Sequence, residues 1–286
     1  MIDGVWLAAR AAAYVLVLQS AGTCLFLALF AAHLPATDVG VVRAARRCAA
    51  AALVLCSAQL LLEPAHMAGE AAGLGDASLW QLELHSRATL VAGLRLAGIT
   101  CVLLALRSGP PPLRAGGVAG VCLALGSFLA SGHTITGAPR WALVPLLGWH
   151  VLAVSFWLGS LWPLRQLTRS LDARALAALL RRFSAIAVVV VPLLGLAGVA
   201  MACLLLPGIA ALGSAYGLIL CAKAVLFAAL LALAALNRQR LTPALEQGRP
   251  GAVRLLRRTL TAEYLIIVLV LGLTAALTGW YSPAGH

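Results

Sequence analysis

At 286 residues, with 62% hydrophobic and only 10% charged side chains, the chain has too little polar surface to cover a water-soluble globule. A net charge of +12 would suit nucleic acid in a soluble protein, but here the basic residues fall almost entirely in alternate loops between apolar runs. That is the positive-inside pattern of a membrane protein, and it excludes nucleic acid as the partner.

The apolar runs are about 20 residues long, which suits transmembrane helices and not the alternating strands of a membrane barrel. The expected fold is all-α: one integral membrane domain over residues 1–286, a polytopic bundle of eight helices in the bilayer. The first span, about 6–32, has Arg10 near its outer end and Gln19 as its interior polar group; with no small-residue cleavage site after it, it reads as a retained helix. The following Arg43, Arg46 and Arg47 place that loop in the cytoplasm and the N-terminus outside.

The second span, about 48–64, leads into HMAGEAAGLGDASLWQLELHSR, the longest outer segment. Here lie Glu63, His66, Met67, Glu70, Asp76, Glu83 and His85, with Arg87 as the closing base. Composition supports two readings equally, a metal-loading surface and a solvated acidic loop. The third span, about 88–106, contains Arg95, which must snorkel outward or pair within the bundle, the outer carboxylates being the obvious partners.

The fourth and fifth spans, about 115–136 and 141–163, form a hairpin around SGHTITGAPRW. His133 lies a little below the surface on the way out, and His150 lies roughly 12 Å below Trp141 on the way in. An imidazole at that depth is costly without a partner, so it marks a candidate site. Trp141 and Trp162 fall at the two membrane interfaces. Next, RQLTRSLDARALAALLRR is expected to lie along the inner membrane surface.

The sixth span, about 183–206, holds Pro192, Gly195 and Gly198, predicting a kink or a close helix contact, and carries Met201 and Cys203 near its outer end. The seventh, about 216–236, puts Lys223 inside the bilayer, and a basic loop broken by Pro243, Gly248, Pro250 and Gly251 follows. The eighth, about 260–280, carries Glu263 just inside and leaves His286 outside. The four cytoplasmic loops hold 16 of the 21 Lys and Arg residues, so both termini are expected on the outer side. The cysteines Cys24, Cys48, Cys56, Cys101, Cys122, Cys203 and Cys221 show no CxxC spacing. They read as buried thiols, the alternative being a soft-metal relay.

From Ser131 to the C-terminus the chain resembles the copper resistance protein D family. The resemblance rests on Ser131-Gly132-His133, His150, Trp157-Leu158-Gly159 and Arg182-Phe183-Ser184, then Tyr216-Gly217 with Lys223, Asn237-Arg238, Thr242-Pro243-Ala244-Leu245, Glu263 and Pro283. Where the family often has a second glycine, Ser160 stands, which could loosen helix packing. The resemblance implies a multi-pass protein of the bacterial inner membrane, its outer side and both termini therefore in the periplasm, that handles copper and works with a periplasmic copper-binding protein of the copper resistance protein C type.

The residue chemistry agrees with copper. Cu(I) takes thioether, thiolate and imidazole ligands, and Cu(II) takes imidazole with carboxylate oxygen. His66, Met67, His85, His133, His150 and Met201 are the candidate ligands, with the loop residues passing the ion inward to His133 and His150. Lys223 is expected to anchor a helix through backbone carbonyls and Glu263 to pair with an arginine, while His33 reads as interfacial. No phosphate-binding loop or nucleophile and base pair is present, so transport is expected and not an enzyme reaction. The competing reading is a b-type haem cytochrome with bis-histidine ligation, and a structural or sensory subunit is a third.

Overall fold

A computed structural model of the protein describes residues 2–34, 39–108, 110–130, 139–206 and 208–280. The Ser131-Gly132-His133 motif, Pro283 and His286 lie outside them. The helices are α1 (Ile2–Phe30), α2 (Val39–Ala68), α3 (Ala77–Leu84), α4 (Arg87–Ser108), α5 (Pro110–Leu129), α6 (Arg140–Leu167) and α7 (Ala173–Leu205). After them come α8 (Ala215–Leu236), a π-helical turn at Asn237–Leu241, α9 (Thr242–Glu246) and α10 (Ala252–Trp280). No strand occurs among the described residues, and the expected polytopic all-α bundle is what the chain forms.

Seven of these segments are long and apolar enough to cross a membrane. The predicted fourth span corresponds to α5, whose apolar stretch Ala115–Leu129 is shorter than the rest. Several helices run well beyond their predicted spans at the basic end. α2 already includes Arg43, Arg46 and Arg47, and α7 begins at Ala173 instead of near Phe183.

The second of these revises the expected surface-lying helix: its C-terminal half is continuous with the membrane span. The reason is packing. Leu176, Ala177 and Leu179 are fully buried in one core with Leu164, Leu167, Leu245 and Leu256, and α9 packs on α7. Asp172 starts that helix, its Oδ1 accepting from the Ala175 amide at 2.8 Å.

α1 is the central helix, touching α2, α4, α5, α6 and α10. In its most apolar stretch 61% of residues are buried, against 6% in the segment containing α8, which is therefore peripheral. Lipid gives helices no hydrophobic reason to associate, so close packing and hydrogen bonds must hold them. The α1–α6 seam supplies both. A Cβ on Gly22 would sit 1.7 Å from the Ser155 carbonyl oxygen, and one on Gly159 would sit 2.2 Å from the Gly22 carbonyl carbon.

Around that contact Thr23 Oγ1 donates to the Gly159 carbonyl at 2.9 Å, Ser155 Oγ donates to the Leu18 carbonyl at 2.9 Å, and Gln19 Nε2 donates to Thr23 Oγ1 at 2.8 Å. Gln19 is thus part of the seam and not an isolated polar residue. Ser160 does not loosen it: fully buried, its hydroxyl turns back to the Phe156 carbonyl of its own helix at 2.7 Å.

Candidate functional site

The acidic end is built by the last turns of α2, by α3 and by the start of α4. Asp76 caps α3, its Oδ1 accepting from the Ser78 amide at 2.8 Å and from the Ser78 hydroxyl at 2.6 Å. Those bonds hold its carboxyl below the usual carboxylate range. Glu83 is buried, with Thr89 Oγ1 donating to its Oε1 at 3.1 Å and to its backbone carbonyl at 2.7 Å.

His66 stacks on Trp6, ring centroids 4.4 Å apart, and its buried Nδ1 has no partner among the described residues. His85 is exposed, and its Nδ1 contacts the Gln81 carbonyl at 2.8 Å. A ring tied in this way carries its proton on Nδ1 and offers the Nε2 lone pair outward, the arrangement common for metal-binding histidines. Met67 is exposed beside His66 in sequence. Among the described residues no group of three or more His, Cys, Asp or Glu side chains is placed to hold a metal ion.

His150 lies ten residues into α6, roughly 15 Å along its axis. The ring is partly buried, its Nδ1 is fully buried, and that nitrogen has no hydrogen-bond partner among the described residues. It rests against α7 near Leu194 and Gly198; a Cβ on Gly198 would be 3.6 Å from the ring Cε1. Gly195, one turn earlier, makes room for Phe227 of α8, at 2.9 Å from the same hypothetical atom. The Pro192, Gly195 and Gly198 pattern is thus a close-contact surface that admits two rings.

Met201 is partly buried and stands three residues after Gly198, on the same face of α7. Lys223 of α8 acts electrostatically on His150, and the carbonyl bonds expected to anchor it are not found among the described residues. His133, the other deep histidine, is outside the described residues. The seven cysteines are all free, and Cys122, Cys203 and Cys221 are exposed on the bundle surface.

About two turns deeper on α6 lies a polar cluster that the sequence reading did not assemble. Trp157 Nε1 donates to Glu263 Oε2 at 3.1 Å, and Asn237 Nδ2 donates to Glu263 Oε1 at 2.5 Å. Thr259 Oγ1 donates to Asn237 Oδ1 at 2.5 Å, and Thr242 Oγ1 donates to the Asn237 carbonyl at 2.9 Å, tying the π turn to α10. Glu263 is 2% exposed.

Glu263 therefore pairs with an indole and an amide, and not with the expected arginine. The ion pair found among the described residues is Arg181 with Glu246 at the basic end. The available signal was a single carboxylate inside an apolar run. Its partners, 106 and 26 residues away, leave no trace in periodicity. Arg95 pairs within the bundle, one of its two expected outcomes, but with a hydroxyl and a ring and not a carboxylate, donating to Ser127 Oγ at 3.1 Å with its guanidinium 4.6 Å from the centre of the Phe128 ring.

Residues 177–277 match the family model described as copper resistance protein D. The match runs from α7 almost to the end of α10, so it contains Leu194, Gly198, Met201, Lys223, Asn237 and Glu263 but not His150 or Trp157. No curated protein and no solved structure matches the chain.

Proposed function

We propose, from the match of residues 177–277 to the copper resistance protein D family model, that this multi-pass membrane protein binds copper at its acidic end and moves the ion across the bilayer, inward from the periplasm. The observation that carries the proposal is the buried, unpartnered Nδ1 of His150 facing α7. Gln19, His33, His66 and Trp149 also carry a buried polar atom without a partner among the described residues; His150 is the imidazole set deepest in a span and against a glycine face, where such an atom calls for a ligand. An imidazole nitrogen is a ligand that either oxidation state of copper accepts, and the Met201 thioether on the facing surface would favour Cu(I).

His133 is proposed as the companion of His150, with His66, Met67 and His85 as the outer residues that receive the ion. Copper is the cargo in this scheme, delivered by a periplasmic copper-binding protein of the copper resistance protein C type, and the membrane is the bacterial inner membrane. The acidic character of the outer segment supports it, since Glu63, Glu70, Asp76 and Glu83 draw a cation to that face. Lys223 opposes a second positive charge at His150, so loading the site requires that charge to be screened or lost.

The test is copper content and the visible spectrum of the detergent-purified protein, wild type beside His150→Ala. About one copper per chain, lost in the variant while folded protein is retained, is the expected outcome. A Soret band would replace this reading with the haem one, and copper retained in the variant would remove His150 from the site.

A further inference from the structure

The basic end of the bundle holds a cavity that the copper reading does not use. Arg165 from the last turns of α6 and Arg254, Arg257 and Arg258 from the first turns of α10 line a hollow of about 400 Å³, together with Thr261, Ala262 and Leu265. Among the described residues no carboxylate lines it. Arg165 is fixed in place: its Nε donates to Thr261 Oγ1 at 2.8 Å, and its guanidinium lies 5.4 Å from the centre of the Trp162 ring. Four cationic side chains converging without a counter-ion attract an anion, and a guanidinium cluster matches phosphate oxygens by its fork geometry. The N-terminal end of the α10 dipole adds to that attraction.

The hollow opens onto an apolar strip. Leu265, in its wall, is 60% exposed, and Leu269, one turn on along α10, is 53% exposed. Both face lipid in a membrane-spanning helix. We propose that this cavity binds an anionic phospholipid, its headgroup phosphate held by Arg165, Arg254, Arg257 and Arg258 and an acyl chain running along Leu265 and Leu269. A free phosphate would use the arginines but not the strip. Basic pockets between helices on the arginine-rich side of a membrane protein have this chemistry.

Titration of the full purified chain in neutral detergent with phosphatidylglycerol, phosphatidylcholine and inorganic phosphate, read by native mass spectrometry, tests the proposal. Phosphatidylglycerol is expected to bind in preference to phosphatidylcholine and to resist competition by phosphate. The triple variant Arg254→Gln, Arg257→Gln, Arg258→Gln should weaken phosphatidylglycerol roughly a hundredfold, at about a factor of five per arginine. Arg238→Gln, Arg240→Gln, Arg249→Gln removes as many charges from the same end outside the cavity and should change binding by less than about threefold.

Equal loss in both triple variants would reduce the effect to general surface charge and overturn the site. Equal binding of phosphatidylcholine, or displacement by phosphate, would overturn the lipid assignment. Should the first triple variant fail to fold, Thr261→Val decides, because it releases Arg165 and removes a lining hydroxyl that also bonds the Arg257 carbonyl, with every arginine charge kept: a several-fold weakening supports the site and unchanged binding overturns it.

Discussion

His150 and Glu263 are two ionisable side chains packed within the same layer of helices, α6, α7, α8 and α10, yet their surroundings are opposite in kind. Glu263 has both oxygens occupied, one by the Trp157 indole and one by the Asn237 amide. His150 has a buried nitrogen that nothing in the described structure satisfies. A fully satisfied buried polar group fixes geometry, whereas an unsatisfied one has coordinating capacity to spare. The difference separates a fastening, which joins the π turn and α10 to α6, from a site with room for a ligand.

The largest expected effect breaks the fastening. Glu263→Ala leaves the Trp157 and Asn237 donors stranded in an apolar interior and should cost about 3–5 kcal/mol, read as a fall in the unfolding midpoint in detergent. Glu263→Gln keeps an acceptor for one donor and should lose less. By contrast, His150→Leu gives up only a backbone contact to Leu194 and should stay within about 1 kcal/mol of wild type. If His150→Leu proved as destabilising as Glu263→Ala, the distinction between the two sites would fail.

A second variant sharpens the other side of the comparison. Gly198→Leu fills the face of α7 against the His150 ring without touching Glu263. It is expected to abolish copper binding, measured by metal content, with a destabilisation of about 1–3 kcal/mol from overpacking. Smaller again is Lys223→Met, which removes a positive charge acting on the imidazole while keeping length. Copper affinity should rise by about tenfold in a direct titration, and an unchanged or weakened affinity would give Lys223 a role as a ligand or anchor instead.

Much of the fold was legible in the sequence because the bilayer allows so few solutions. Runs of about 20 apolar residues punctuated by arginine loops admit little but a helix bundle. Helix ends at the basic side were not legible, because Leu176, Leu179 and Leu256 continue the apolar pattern outside the membrane and extend α7 and α10 past the arginines. The candidate site was legible only one residue at a time. His150 announced itself by depth, but that Gly198 and Lys223 face it depends on helix rotation, which a uniformly apolar helix does not encode. Trp157, Asn237 and Glu263 each appeared among the motif pieces carrying the family resemblance, and only the fold shows them to be one cluster.

Asp76 gives the smallest effect and a control on the contrast between satisfied and unsatisfied groups, since it is satisfied but solvent-exposed. The Ser78 hydroxyl and amide hold its carboxyl below the usual value, so its folded value lies below its unfolded one. The cap on α3 is therefore fully present above the ordinary aspartate range, near pH 4, and is lost as the pH falls through the depressed folded value. Hydrogen exchange should show α3 fraying progressively as the pH falls below about 4 while the α6–α10 layer stays protected. Asp76→Ala should fray α3 at every pH and abolish that dependence. If α3 in the variant still loosened on acidification, the pH response would belong to another group, Glu83 being the nearest buried carboxyl on that helix.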